Sequence, residues 1–371
     1  MTSLYLISFF AAFAMAILLT PFVKRFALWV GAVDRPNHRK VHTVVMPRLG
    51  GLGIFFSFLC AFVVISPALP EVDANVIWGL LLGGSVIVLV GALDDKFDLS
   101  PKVKLAGQLA AAGIVVAFGL KINVGLIDFP FEAAWLANIG WISIPLTIVW
   151  IVGVTNAINL IDGLDGLAGG VSAIATATML VLALMMGNIT VVLLCAILLG
   201  SVLGFLVFNF HPAKIFMGDS GALFLGFSLA TLSVLGFKQA TMISFVVPLL
   251  VLGVPLSDTL FAIIRRLASG KPISVADKSH LHHGLLRMGL SHRNTVLVIY
   301  GISIVFGVCA IILYQTTYIW TALAIIFVVL FLLEIAAEAI GMFSKNRRPV
   351  LKFLRKVSIK TARLIGARSV K

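Results

Sequence analysis

About eleven stretches of this chain each carry close to twenty consecutive, mainly apolar residues: roughly 4–23, 50–69, 76–93, 104–120, 140–158, 167–186, 189–208, 221–236, 241–263, 295–313 and 318–341. A helix of about 20 residues matches the hydrocarbon thickness of a bilayer. Inside lipid no water satisfies backbone N–H and C=O groups, which leaves helices and closed barrels as the only spanning forms. The expected fold is therefore all-α, a polytopic membrane helical bundle of about eleven transmembrane helices. Composition agrees, with 60% hydrophobic and 12% charged residues, far from the balance of a soluble chain. Residues 1–343 are expected to form one membrane domain. Residues 344–371 form a basic tail whose apolar positions, Val350, Leu351, Leu354, Val357, Leu364 and Ile365, suit an amphipathic helix on a lipid surface. A disordered basic tail is the alternative.

The loops orient the bundle. Net charge is +13, which in a soluble protein would suggest nucleic acid. Here it reads as basic cytoplasmic loops beside anionic lipid, with no nucleic-acid partner. The first loop holds Lys24, Arg25, Arg35, Arg39, Lys40 and Arg48, and the loop after the ninth stretch holds Arg265, Arg266, Lys271, Lys278, Arg287 and Arg293. The loop at 67–73 has Glu71 and Asp73 and no Lys or Arg. The positive-inside rule then places the N-terminus out and the C-terminus in, in a cytoplasmic (inner) membrane. The first apolar run has no basic segment before it and no small-residue cleavage site, so it reads as a retained helix. Cys60, Cys195 and Cys309 lie dispersed within apolar runs, which gives neither a disulfide framework nor a metal site.

Every polar cluster falls on the cytoplasmic side. Asn156-Ala-Ile-Asn-Leu-Ile-Asp-Gly-Leu-Asp-Gly-Leu167 sets Asn156, Asn159, Asp162 and Asp165 in steps of three at the end of the fifth stretch. Acids so close to lipid need a cation, a watery site or a function. Asp165 has a second reading, as N-cap of the next helix. Asp94-Asp-Lys-Phe-Asp98 ends the third stretch, followed by Lys102 and Lys104. A helix C-terminus disfavours carboxylates without a compensating cation. In His211-Pro-Ala-Lys-Ile-Phe-Met-Gly-Asp-Ser-Gly221, Asp219 and Ser220 begin a helix whose N-terminus favours an anion, with a plain N-cap as the other reading. Asp277-Lys-Ser-His-Leu-His-His283 lacks the partners of a zinc site. Its imidazoles could instead meet phosphate or sugar. In the first loop Lys40 and His42 are phosphate binders or ordinary positive-inside charges.

No G-x-x-x-x-G-K-[ST] is present, which excludes a P-loop ATPase. Asp162-Gly-Leu-Asp-Gly-Leu-Ala168 is superficially like the CDP-alcohol phosphotransferase motif, but Gly169 stands where that motif has Arg. Acids, lysines and imidazoles around one membrane mouth suit phosphoryl transfer with a divalent ion.

Asp94-Asp95-x-x-Asp98, the Asn156–Leu167 stretch, Phe216-Met-Gly-Asp-Ser-Gly221 and His280-Leu-His-His283 resemble the polyprenyl-phosphate N-acetylhexosamine-1-phosphate transferases. The likeness runs from about Asp34 to about Arg293. His-Leu-His-His resembles the WecA/TagO-type branch, which uses UDP-GlcNAc. The MraY branch, which uses UDP-N-acetylmuramoyl-pentapeptide, has three consecutive histidines, and Leu281 departs from that. The resemblance implies transfer of GlcNAc-1-phosphate from UDP-GlcNAc to undecaprenyl phosphate, releasing UMP and initiating a cell-envelope glycan of teichoic-acid or O-antigen type. It implies Mg²⁺, or Mn²⁺ in its place. It places Asp219 and Asn159 as metal ligands and Asp94, Asp95, Asp162 and Asp165 in the catalytic set. Lys40, His42, Lys104, Asn156, His280, His282, His283 and Arg287 become substrate binders. Transfer of another UDP-sugar is the same-class alternative, and a secondary transporter the different-class one, although no internal repeat supports the latter. A homodimer is left open.

Overall fold

The computed structural model describes residues 2–35, 45–68, 74–122, 141–236, 242–268, 270, 280–316 and 318–340. Lys40, His42, the 123–140 segment and the basic tail lie outside the described residues. Among those described, the chain forms α1 (Thr2–Val30), α2 (Gly50–Ile65), α3 (Ala74–Phe97), α4 (Pro101–Ala117), α5 (Ser143–Ile161), α6 (Leu167–Met185) and α7 (Ile189–Asn209). It continues with α8 (Gly218–Gly236), α9 (Met242–Val251), α10 (Gly253–Ala268), α11 (Leu281–Arg287), α12 (His292–Gln315) and α13 (Ile319–Ile340). In the first loop β1 (Val33–Asp34) and β2 (Met46–Pro47) pair antiparallel, a small ribbon the apolar pattern does not announce.

Eight helices, α1, α3, α5, α6, α7, α8, α12 and α13, are long and apolar enough to cross a membrane. The chain is a polytopic helical membrane protein, as its apolar runs require. Three of the eleven expected spans take a different form. The run at 50–69 becomes α2, of 16 residues. The run at 104–120 becomes α4, which begins at Pro101 and carries Lys102 and Lys104 in its first turn. The run at 241–263 is not one helix. It breaks at Leu252 into α9 and α10. Proline has no N–H, so Pro255 cannot bond the carbonyl four residues back, at Val251, which is where α9 ends.

α8 is the axis of the bundle. It is apolar all round, as a helix buried on every side must be, and every residue from Ser220 to Gly236 is buried. It packs chiefly against α3 and α5, while α7 is held between α1 and α6. Leu6, Phe10 and Phe22 on α1 and Trp320, Phe327 and Leu330 on α13 are exposed, as lipid-facing side chains are. Small residues let backbones approach where α8 begins. A Cβ on Gly51 would run into the Gly221 backbone, and one on Gly91 would lie 2.5 Å from Ser220 Cα. The second loop strand is stitched to the same place. Phe216 N–H donates to Pro47 O at 2.8 Å, and Gly51 N–H to Met217 O at 2.8 Å. The N-terminus of the most buried helix is thus gripped by α2, α3 and the β2 segment.

Candidate active site

Asp219 stands in the first turn of α8. Its carboxylate pairs with Lys104 Nζ from α4, and Asp94 and the Asn159 side chain lie beside it, near enough to act on its charge. Lys104 Nζ also reaches Asp94 Oδ2 at 3.2 Å. Carboxylates this close need a proton or a cation between them. The Lys104 ammonium provides one positive charge for two acids.

Asp95 follows Asp94 on α3 but faces another way. Its Oδ1 accepts from Asp219 N–H at 2.8 Å, and its Oδ2 accepts from Ser220 N–H at 3.1 Å and Ser220 Oγ–H at 2.8 Å. The two N–H groups are orphan donors of a helix start, capped by a carboxylate from a neighbouring helix. Gly218 makes room for this. It lies at φ +69°, and a Cβ there would overlap both Asp95 oxygens and Arg48 O. Asp98 is elsewhere. α3 ends at Phe97, and Asp98 is solvent-exposed and 3.6 Å from Arg48.

The four polar residues spaced by three do not share one face. α5 ends at Ile161, so only Asn156 and Asn159 are helical. Asn156 is turned to α4, in a reciprocal amide pair with Gln108 (2.6 and 3.2 Å). Asn159 joins Asp219. Asp162 is the C-cap residue. Exclusion from water, then repulsion from Asp219 and Asp95, pushes its carboxyl up to about 8. Asp165 does not cap α6, whose N-cap is Gly166 with no side-chain cap bond. Instead its Oδ2 accepts from Ala213 N–H (3.1 Å) and meets His211 Nδ1 (2.9 Å), while its own N–H donates to His292 Nε2 (3.0 Å). Asp165 therefore ties together the α5–α6 turn, the α7–α8 loop and the start of α12.

The histidine loop closes the mouth. His282 is buried, and a Cβ on Gly163 would overlap its Nε2, so the imidazole lies directly against the turn that carries Asp162. Burial, then the neighbouring His283, pushes His282 down to about 3, which keeps it neutral at physiological pH. Its Nδ1 meets no hydrogen-bond partner among the described residues. The His282 and His283 rings are 4.2 Å apart. Arg287 ends α11 in the same short helix.

The carboxylates of Asp94 and Asp219 and the amide of Asn159 bring oxygen donors together, and Asp162 lies near enough to feel the charge of Asp219. Such a set fits a hard divalent cation such as Mg²⁺ or Mn²⁺.

Residues 77–237 match the family model described as glycosyl transferase family 4. A Bacillus subtilis (strain 168) protein named "Probable undecaprenyl-phosphate N-acetylglucosaminyl 1-phosphate transferase" is 47% identical over 95% of this chain and 96% of its own. The chain belongs to glycosyl transferase family 4. A "Decaprenyl-phosphate N-acetylglucosaminephosphotransferase" of Mycobacterium leprae (strain TN) is 36% identical over 72% of this chain and 73% of its own. The "Undecaprenyl-phosphate alpha-N-acetylglucosaminyl 1-phosphate transferase" of Escherichia coli (strain K12) is 29% identical over 75% of each chain. The kinship expected from the loop motifs is therefore found. In this family 4 chain the structure brings Asp94, Lys104, Asn159, Asp162, Asp219 and His282 to one end of the bundle. It turns Asn156 to Gln108, and Asp165 to His211 and His292.

Gln108 and Asp258 escape a reading by loops. Gln108 is a buried amide inside an apolar helix. Asp258 is a buried acid in α10, 3% exposed. The signal for Asp258 was present, a lone carboxylate within an apolar run, the same argument that singles out Asp162.

Proposed function

We propose that this chain transfers GlcNAc-1-phosphate from UDP-GlcNAc to undecaprenyl phosphate, giving undecaprenyl-diphospho-GlcNAc and UMP. The observation that carries this reading is the convergence of Asp94, Lys104, Asn159, Asp162 and Asp219 at one end of a membrane bundle, in a chain 47% identical to a relative named for this chemistry. The acids gather at helix ends rather than at mid-membrane depth, which favours an enzyme over a transporter. The basic loops support a cytoplasmic position for this end, where a UDP-sugar is met.

The lipid phosphate has a second pKa of about 6 and is largely ionised at neutral pH without help. Its oxygen attacks the phosphorus that bears the sugar. A new P–O bond forms in line with the breaking one, and the electron pair of the broken bond leaves with UMP. Phosphoryl transfer asks the protein mainly for positioning and charge neutralisation. Lys104, in the first turn of α4, offers an ammonium and a helix N-terminus to the lipid phosphate. Asp219, Asn159, Asp94 and Asp162 would hold Mg²⁺, which supplies neutralisation of the diphosphate when bound. The histidines of α11 and Arg287 face the UDP-sugar, and the His-Leu-His-His spacing supports UDP-GlcNAc as donor. The test is UMP release by purified protein supplied with Mg²⁺, UDP-GlcNAc and a polyprenyl phosphate. Release is expected only with all three present. Release from UDP-N-acetylmuramoyl-pentapeptide instead would reassign the donor, and release from neither would end the proposal.

A further inference from the structure

Asp258 occupies α10, beside the donor-binding histidines and outside the loops that hold the carboxylates. It is buried, as is His280 at 5% exposure. A buried carboxylate must be satisfied on both oxygens. Oδ2 lies 2.9 Å from His280 Nδ1, and Oδ1 accepts from Leu281 N–H at 2.8 Å. Leu281 is the first residue of α11, and His280 is its N-cap with no side-chain cap bond of its own. The carboxylate of another helix thus does the capping, and the same group orients the first histidine of the motif.

A carboxylate accepts only, so the bond to Nδ1 requires the His280 proton to sit there. With the proton on Nδ1, Nε2 is left as the acceptor nitrogen of the ring. The His280 and His282 rings are parallel within 3°, with centroids 6.0 Å apart, and His282 rests on Gly163 beside Asp162. A rigid path therefore leads from Asp258, through the first turn of α11, to the carboxylate mouth.

We propose that Asp258 is a positioning residue, which holds His280 as the Nδ1–H tautomer and pins α11 so that the histidines meet the UDP-sugar in one geometry. This rests on the reading of the site given above. Carboxylates that fix an imidazole's tautomer through Nδ1 are a recurring device in catalysis.

The first test needs no substrate. Full-length protein in detergent is labelled with ¹⁵N-histidine, and the His280 signals are assigned by their loss in His280→Gln. At mildly alkaline pH the wild type is expected to show a protonated Nδ1 and a bare Nε2 at His280, and Asp258→Asn to lose that preference. A wild-type His280 protonated on Nε2 alone overturns the proposal, whether or not any variant folds. The second test is kinetic. Asp258→Asn is expected to lower kcat by on the order of 10–100-fold, by analogy with the range for outer partners of metal-binding histidines. Adding His280→Gln should bring little further loss, because both changes disable one unit. Wild-type kcat in Asp258→Asn, or losses that multiply in the double variant, overturns it. If the wild type itself releases no UMP, the proposed reaction fails, while the tautomer measurement still decides what Asp258 does.

Discussion

Ser220 is bonded twice to Asp95, through its backbone N–H at 3.1 Å and its hydroxyl at 2.8 Å, both to Oδ2. With Oδ1 taken by Asp219 N–H, this carboxylate is fully engaged in seating α8. Asp94 and Asp95, adjacent in sequence, have therefore divided their work. Asp94 meets Lys104 and Asp219 at the mouth, and Asp95 builds the platform on which Asp219 stands.

Asp95→Ala should consequently act through stability. It strands three donors, the two on Ser220 buried, and each lost bond to a charged acceptor costs about 1.5–3 kcal/mol. A clear drop in melting temperature in detergent is expected, with Asp95→Asn between the two because it keeps one acceptor. An unchanged melting temperature in Asp95→Ala would remove the platform role.

Asp219→Asn should do the reverse. The amide keeps the size and leaves the backbone N–H bond to Asp95 in place, so melting should stay near wild type without Mg²⁺. UMP release should fall by about a hundredfold or more, as when a key electrostatic group of a transfer site is lost. The stabilisation that wild type gains from added Mg²⁺ should also shrink. Full turnover would show that Asp219 is not a metal ligand.

The apolar runs made the helical bundle readable, because lipid leaves a chain few ways to satisfy its backbone. They did not reveal the break at Leu252, since hydropathy carries no trace of the missing Pro255 N–H. The site was legible as a set of loops. Which member of each loop faces the mouth was not, because a step of three residues places side chains on one face only while the helix lasts, and α5 stops at Ile161. Asp165 looked like a helix cap on local grounds, but its partners, His211 and His292, come from distant segments.

Gly163→Ala tests whether α11 is seated on the α5–α6 turn. A Cβ there would overlap His282 Nε2, so the buried imidazole must shift and carry α11 with it. Overpacking of this kind costs about 1–3 kcal/mol. The melting temperature of Gly163→Ala should fall, and it should fall much less when His282 is Ala, which vacates the space. Equal losses in both backgrounds would separate His282 from the turn.

Asp162 should make stability pH-dependent in a direction opposite to an ordinary surface acid. Burial, then repulsion from Asp219 and Asp95, raises its folded value to about 8, whereas an unfolded Asp titrates at about 3.9. Between those values the folded protein holds a proton that the unfolded chain has released, so stability falls as pH rises. This contribution is fully present below about pH 4 and is lost as pH passes through about 8. The metal-free protein should melt higher at pH 6 than at pH 8, and Asp162→Asn, which has no proton to lose, should flatten much of that slope. A bound divalent cation favours the ionised carboxylate. Mg²⁺ added to weakly buffered wild type at neutral pH should therefore release a proton that Asp162→Asn does not. An equal slope and an equal proton release in the variant would place that proton on another group of the mouth.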